Sequence, residues 1–251
     1  MDLHLAGKKA LVTGSTKGLG RAIAETLLDE GASVAICART AADVEQAVAE
    51  LSAKGKVVGA AVDAGNADSL RAFLASTIEQ LGGLDVYVHN TSAKRAKTLD
   101  AWQNNFDTDL MALIQGVDAA QAALADGGGA LISIGTSATS EHFAVGSNSY
   151  SALKAAVVNW TLGQAQVLGA RGIRCNVVSP GPIFIEGGDW DRIKAAMPDF
   201  FEASKKLHPG GQMGTAQDVA DAVVFLASPR AKHINGVNVT VDGGFLKRVD
   251  Y

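Results

Sequence analysis

Hydrophobic positions fall in short runs that alternate with segments of helical spacing from one end of the chain to the other. The runs predict strands at residues 9–13, 33–38, 57–62, 84–89, 130–134, 173–178 and 236–241. The segments between them predict helices at residues 19–29, 41–53, 68–80, 100–125, 150–169 and 215–227. Such alternation favours a parallel sheet with helices on both faces. We therefore expect an α/β fold with one doubly wound, seven-stranded parallel sheet.

The alternation breaks at about residues 183–214, a stretch with Gly187-Gly188, Trp190, Pro198 and His208-Pro209-Gly210-Gly211. An irregular insert late in such a sheet is a natural substrate lid. An insert with a purely structural role fits the spacing equally well. Because no linker or repeat is visible, we expect one domain over residues 1–251 that carries this insert.

Composition and charge narrow the class of protein. The 251 residues are 47% hydrophobic and 19% charged, which suits one domain with a large core. A net charge of −4 argues against a general nucleic-acid or membrane-surface binder, and no apolar run approaches the roughly 18 residues of a membrane span. The amino terminus does not look like a signal peptide. Cys37 and Cys175 lie in apolar runs, where buried, reduced thiols are expected. We expect a cytoplasmic protein with no metal site.

A glycine-rich loop follows the first predicted strand directly and leads into a helix. Glycines at such a turn let backbone amides approach a pyrophosphate, and the helix N-terminus adds donors and a favourable dipole. In this position the cluster predicts a dinucleotide site. The expected contacts are Gly14, Ser15, Thr16, Lys17, Gly18, Leu19 and Gly20.

The end of the second predicted strand indicates which dinucleotide is used. NAD sites usually place a carboxylate there for the ribose 2′-hydroxyl, but this chain has alanine followed by Arg39. Arg39 and Lys17 provide two cations that suit a 2′-phosphate, so NADP(H) is favoured over NAD(H). Alternatively, Arg39 only pairs with Asp43. Asp63, after the third strand, either accepts from the adenine amine or caps the helix that follows Asn66.

Tyr150 and Lys154 lie four residues apart on a predicted helix and therefore share a face. A free phenol has a pKa of about 10, and a nearby ammonium favours the phenolate and lowers that pKa towards neutrality. Ser137, at the end of the fifth strand, is placed to hydrogen-bond the same substrate oxygen. The three residues predict a proton-transfer site for an alcohol or carbonyl. Taken alone, the Tyr150–Lys154 spacing also fits an ordinary surface helix.

These motifs occur together in one known family. With TGxxxGxG at residues 13–20, YxxxK at residues 150–154 and further matches at Gly172–Gly181 and Asp242-Gly243-Gly244, the chain resembles the short-chain dehydrogenase/reductase family. The resemblance covers essentially the whole chain and is greatest to 3-oxoacyl reductase-like members. It implies a Rossmann-type fold and, usually, a homotetramer packed through the helices at 100–125 and 150–169.

The resemblance also implies roles for individual residues. Tyr150 would be the acid in reduction and the base in oxidation, and Lys154 would lower its pKa and bind the nicotinamide ribose. Ser137 would orient the carbonyl, with Thr136 as a less favoured substitute. Asn90 would brace the central strand beside the cofactor. The remaining implied cofactor contacts are Thr40, Ala64, Pro180, Gly181 and Ile183.

Three departures from the family pattern stand out. Asp109 aligns with the helical asparagine that holds a water linking the lysine to solvent, and it would place an acid near Lys154. If the register is wrong, Asp109 faces solvent; Asn104 and Asn105 lie about one turn upstream. His89-Asn90-Thr91-Ser92 replaces the family's NNAG, with His89 expected to be a tolerated strand residue. Ile185 stands where a threonine often contacts the carboxamide.

Substrate identity is expected to lie in three loops, at residues 94–97, 141–143 and 185–190, and it cannot be derived from their sequences. The leading hypothesis is an NADP(H)-dependent oxidoreductase that acts on a small-molecule carbonyl or secondary alcohol. The alternative is a binding protein that senses NADP(H) without turnover. A sugar-nucleotide epimerase would need a larger C-terminal substrate domain than the residues after Gly244 provide.

Overall fold

A computed structural model describes residues 1–93, 98–141 and 148–248. Its strands are β1 Lys9–Thr13, β2 Ser33–Ala38, β3 Val57–Ala61, β4 Val86–His89, β5 Ala130–Ile134, β6 Arg174–Pro180, β7 Ile183–Phe184, β8 Gly214–Thr215 and β9 Asn238–Val241. Its α-helices are α1 Gly18–Asp29, α2 Ala41–Leu51, α3 Ala67–Leu81, α4 Leu99–Asn105, α5 Ala112–Ala125, α6 Ser149–Leu168, α7 Asp189–Ala196, α8 Pro198–Lys206 and α9 Ala216–Ala227.

Seven strands form one parallel sheet in the order β3-β2-β1-β4-β5-β6-β9. β1 is the central switch point, since Ala10 pairs with Val34 of β2 on one side and with Val86 of β4 on the other. In such sheets ligands bind beyond the carboxyl ends of the strands, beside this switch point. The predicted α/β class, strand number and parallel arrangement are therefore confirmed.

Each face of the sheet packs against its own apolar cluster. On one face, Ile23 and Leu27 of α1 and Val223 of α9 cover β1 and its neighbours. On the other, Leu74 of α3 and Leu113 of α5 contribute to a second cluster, which also includes Val157 of α6. Because both faces are covered, the central strands are continuous apolar runs rather than alternating ones. These continuous apolar runs are the reason why the central strands could be predicted from the sequence.

The predicted single helix at 100–125 is wrong in one respect. α4 ends at Asn105, a π-helical segment spans Phe106–Met111, and α5 begins at Ala112. Hydrogen bonds in a π turn skip one residue further than in an α-helix, and such turns often occur at functional sites. The segment carries Asp109, whose side chain is fully buried.

The insert at 183–214 is more regular than its composition indicated. β7 pairs with β8 at its base, and α7 and α8 lie between them. The rings of Trp190 and Phe200 stack with centroids 6.1 Å apart, and Phe201 packs edge-on against Phe184. Aromatic packing therefore joins the two helices to each other and to β7. None of the helices within the described residues is long and apolar enough to cross a bilayer.

Candidate active site

The glycine loop joins β1 to α1 at the carboxyl edge of the sheet. Gly14 and Gly18 both have φ of +62°, a backbone region that glycine enters without steric cost. Lys17 precedes α1, and the first turn of that helix contains no acidic side chain. The first backbone N–H groups of α1 thus face the loop without a competing carboxylate, as an anion-binding helix end requires.

Gly20 must be glycine because the loop folds back on it. A Cβ there would lie 2.3 Å from Gly14 O and 2.5 Å from Asn90 Nδ2. The same Asn90 amide donates to Thr13 O at 3.0 Å and to Gly14 O at 2.9 Å. Asn90, which follows β4, therefore holds the end of β1 and the start of the glycine loop, whereas the resemblance implied only that it braces the central strand beside the cofactor.

Two hydroxyl groups of the loop region serve different purposes. Ser15 Oγ donates to Val12 O at 2.6 Å and accepts from Cys37 N at 3.3 Å, so it is committed to the loop's own structure. Thr91 Oγ1 is buried beside Gly14 and has no hydrogen-bond partner among the described residues. An unpartnered buried hydroxyl next to a close-approach glycine is what a bound dinucleotide would satisfy. The residues present therefore fit a dinucleotide cofactor.

At the adenosine end of the predicted site, the structure contradicts two alternatives: that Arg39 pairs with Asp43, and that Asp63 caps α3. Asp43 pairs with Lys17, at 3.6 Å, and not with Arg39, which is exposed and makes no ion pair within the described parts of the chain. Asp63 does not cap α3; the cap is Asn66, whose side chain accepts from Ser69 N. Asp63 instead accepts from Gly65 N at 3.1 Å and remains exposed beyond β3.

Lys154 is buried beneath the site although it carries an ammonium group. It lies one turn after Tyr150 on α6 and is 2% exposed. Nζ donates to Ile134 O, at the end of β5, at 2.9 Å and lies 3.4 Å from Asp109 Oδ1. Burial lowers the pKa of Lys154, and the neighbouring Asp109 carboxylate opposes that effect.

Asp109 faces the protein interior, so the solvent-facing alternative for this residue is wrong. Oδ2 accepts from Ala93 N and from Asn105 Nδ2, each at 3.0 Å. Oδ1 accepts from Ser92 Oγ and pairs with Lys154. The carboxylate therefore contacts the lysine directly.

Ser137 and Thr136 occupy the turn that follows β5. Thr136 Oγ1 accepts from Ala138 N at 3.3 Å and so caps the short 3₁₀ turn Ser137–Thr139. Ser137 is 4% exposed, and no hydrogen bond joins its hydroxyl to another described residue. Because the Thr136 hydroxyl is used as a cap and the Ser137 hydroxyl is not, Ser137 is the better candidate for contact with a ligand.

The opposite side of the predicted nicotinamide site is formed after β6. Pro180 ends β6, and Gly181 N donates to Val241 O at 2.9 Å, which fixes this turn to the last strand. Ile183 begins β7. The Ile185 side chain reaches back over the glycine loop, 4.0 Å from where a Cβ on Gly18 would be. The start of the insert therefore lies above the cofactor loop.

Several site residues could not be identified from sequence. Asn105, Ser92 and Ser149 contact Asp109 or one another, yet each resembles an ordinary polar residue in the sequence. His89, expected to be a tolerated strand residue, is the last residue of β4, and its Nε2 lies 3.0 Å from the backbone oxygen of Asp109. The sequence signals were that His89 and Ser92 depart from the family pattern and that Asn105 lies about one turn upstream of Asp109. Of the predicted pocket loops, residues 94–97, 142 and 143 lie outside the described residues.

Comparison with known proteins agrees with this geometry. A family profile described as enoyl-(acyl carrier protein) reductase matches residues 14–246. Isoepoxydon dehydrogenase from Penicillium expansum is 34% identical over 247 residues, covering 96% of this chain and 95% of that protein. A 3-oxoacyl-[acyl-carrier-protein] reductase from Vibrio harveyi is 34% identical over 249 residues, covering 96% of this chain and 98% of the reductase.

The chain belongs to the short-chain dehydrogenase/reductase family. It is 3-oxoacyl reductase-like, as the sequence motifs predicted. Like its relatives it is an oxidoreductase, which transfers hydride between a nicotinamide cofactor and a carbonyl or alcohol substrate. The sensor alternative is not favoured by these comparisons.

Solved structures of the family carry different cofactors. An L-sorbose reductase from Gluconobacter frateurii, complexed with NADPH and L-sorbose, has a TM-score of 0.92 at 27% identity, covering 99% of this chain and 100% of the reductase. A 7α-hydroxysteroid dehydrogenase complexed with NADH has a TM-score of 0.89 at 26% identity, covering 99% and 98%. Family membership therefore indicates a nicotinamide cofactor but does not decide between NADP(H) and NAD(H).

Proposed function

We propose that the protein is an NADP(H)-dependent reductase or dehydrogenase of a small-molecule ketone or secondary alcohol, with Tyr150 as the proton-exchanging group. The observation that supports this most strongly is the buried Lys154, held on the same helix one turn from Tyr150 and next to the end of β5. An ordinary surface helix would not bury an ammonium group, because its desolvation costs several kcal/mol.

The roles of the side chains follow from their chemistry. When bound, the nicotinamide supplies or accepts the hydride. Tyr150 donates a proton to the substrate oxygen in reduction and accepts one in oxidation. Lys154 favours the phenolate by its charge, and the Ser137 hydroxyl donates to the same substrate oxygen as negative charge develops on it. Asp109 keeps the Lys154 ammonium in place by direct pairing.

Two exposed cations support the choice of NADP(H). Arg39 follows β2 with no carboxylate partner among the described residues, and Lys17 lies in the glycine loop. The Lys17 pair with Asp43 is 3.6 Å long and mostly exposed, so it is weak and easily exchanged for a phosphate. NADPH in the L-sorbose reductase agrees with this preference.

We further propose that the insert at 183–214 is the substrate lid, because Ile185 lies over the glycine loop and aromatic packing makes α7 and α8 a unit. The expected homotetramer would use α5 and α6, where Val167 is an aliphatic side chain 64% exposed. The cytoplasmic location stays a prediction. A spectrophotometric assay of NADPH consumption with a panel of carbonyl compounds tests the proposed function.

A further inference from the structure

Asn105 is a fully buried polar residue whose position the mechanism above does not explain. It is the last residue of α4 and is 0% exposed. Its side-chain oxygen accepts from Ser149 Oγ at 2.6 Å, and its amide nitrogen donates to Asp109 Oδ2 at 3.0 Å and to Ala93 O at 3.2 Å. The side chain therefore ties the first turn of α6 to the π segment and to the loop after β4.

These partners determine which way round the amide lies. A carboxylate and a carbonyl oxygen both need a donor, and of the two amide ends only the nitrogen provides one. Turning the Asn105 amide over would set its oxygen against two other oxygens. The positive end of the side-chain dipole thus points at the Asp109 carboxylate.

The Asp109 carboxylate has two partners on each oxygen. Asn105 and Ala93 N share Oδ2, while Ser92 Oγ and Lys154 share Oδ1. The Asp109 side chain is 0% exposed. Solvent therefore cannot replace a donor that is removed, and the loss acts on the electrostatics of the network.

Three titratable groups from three elements meet here: Lys154 of α6, Asp109 of the π segment and His89 of β4. Tyr150 lies one helical turn before Lys154 on α6. Burial, with Lys154 as the second cause, lowers the pKa of His89 to about 4, so its ring is neutral near pH 7. The charged members of this network are therefore the Lys154 ammonium, one helical turn from Tyr150, and the Asp109 carboxylate.

We propose that Asn105 is a positioning residue that sets, through the Asp109 carboxylate, the pH at which the Tyr150–Lys154 pair loses its first proton. The proposal rests on the proposed function of Tyr150. Without the amide dipole, the potential around the pair is more negative, so both groups hold their protons more tightly. Removing the charge of Asp109 has the opposite effect, whichever of the two groups gives up the proton.

The test follows formation of the Tyr150 phenolate by ultraviolet difference absorbance, with the Tyr150→Phe protein as the reference so that the other tyrosines cancel. Asn105→Leu replaces the amide with an apolar group and is expected to raise the midpoint by about half a pH unit. Asn104→Leu is the matched control at the exposed neighbouring asparagine and is expected to leave the midpoint unchanged. In the Asp109→Asn background, Asn105→Leu is expected to have a much smaller effect, because the carboxylate that fixes the orientation of the amide is gone.

A midpoint that Asn105→Leu does not move would overturn the proposal, as would an equal upward shift in the Asp109→Asn background. If Asn105→Leu does not fold, as judged by thermal melting, Ser92→Ala removes another donor from the same carboxylate and must raise the midpoint too. Because the titration needs no substrate, it tests the role of Asn105 independently of the proposed reductase activity. A wild-type protein that titrates as described but turns over no carbonyl compound contradicts the proposed function alone.

Discussion

Lys154 and Asp109 form an ion pair that water barely reaches, with side chains 2% and 0% exposed. Taking either charge out of water alone would cost several kcal/mol, so each depends on the other and on the neutral donors around them. The Lys154 ammonium donates to Ile134 O at 2.9 Å and forms its ion pair with Asp109 Oδ1 at 3.4 Å. Among the described residues, Lys154 Nζ has no further hydrogen-bond acceptor. The site therefore contains a buried ammonium one helical turn from Tyr150.

Replacing Asp109 with Asn tests that arrangement. The negative charge that holds protons on Tyr150 and Lys154 is lost, so their first deprotonation moves to lower pH, by about one unit. In the oxidative direction, where the phenolate is the active form, the rising limb of the kcat/KM–pH profile is expected to shift by that amount. Asp107→Asn, two residues away at a side chain bonded to Gln103, is the matched control. A profile that moves to higher pH, or moves equally in both variants, contradicts the account.

At the scale of elements, the sheet brings distant parts of the sequence to one edge. Because its strands are parallel, their carboxyl ends carry the glycine loop after β1, Arg39 after β2, Asn90 after β4 and Ser137 after β5. α1 directs its N-terminal N–H groups at the same edge. α6 then adds Tyr150 and Lys154. The candidate site is formed by residues from several elements, and for this reason its motifs are widely spaced along the sequence.

The end of β2 is expected to determine cofactor choice. Arg39→Asp puts a carboxylate where the ribose 2′ position is expected, so it repels a 2′-phosphate and accepts from a 2′-hydroxyl. NADPH affinity should fall at least about tenfold more than NADH affinity, the effect of losing one charge-assisted contact. Arg171→Asp, at an exposed arginine just before β6 at the opposite edge of the sheet, is the control. Titration calorimetry with both cofactors measures the effect; an unchanged ratio would assign selectivity to Lys17 instead.

At the scale of the whole molecule, two apolar clusters enclose the sheet, and His89 of β4 is wholly buried between strand and helices. Its Nδ1 has no hydrogen-bond partner among the described residues, so a charged ring would be poorly solvated there. Burial lowers its pKa from 6.5 to about 4 in the folded protein. The unfolded chain therefore binds more protons at this residue between those two pH values.

This difference makes stability depend on pH with a definite sign. The contribution of neutral His89 is fully present above about pH 6.5 and is lost as the pH falls to about 4, a change of about 3 kcal/mol in the free energy of unfolding. We expect His89→Asn to remove most of that slope. Urea unfolding of both proteins at several pH values between those limits measures it. Parallel slopes for the wild type and His89→Asn would show that another group is responsible.

Much of this could be derived from sequence because parallel strands buried on both faces give plain apolar runs, such as Ala130–Ile134. The glycine loop and the Tyr150–Lys154 spacing likewise follow from local geometry. The π segment could not be predicted, since a single wide turn leaves helical periodicity almost unchanged over Phe106–Met111. Nor could the burial of Asn105, or the pairing of Asp43 with Lys17, because both depend on elements that only tertiary packing brings together.

The most direct measurement follows the loss of NADPH absorbance, with NADH in parallel, over a panel of β-ketoacyl thioesters, cyclic ketones, diketones, keto sugars and steroid ketones. The wild type is expected to turn over at least one class, faster with NADPH. Tyr150→Phe is expected to lose about 10²- to 10⁴-fold in kcat, the usual contribution of a general acid, while it still binds NADPH. Turnover that survives in Tyr150→Phe would contradict the assignment of the proton donor. Tight NADPH binding with no turnover of any class by the wild type would contradict the proposed reductase activity.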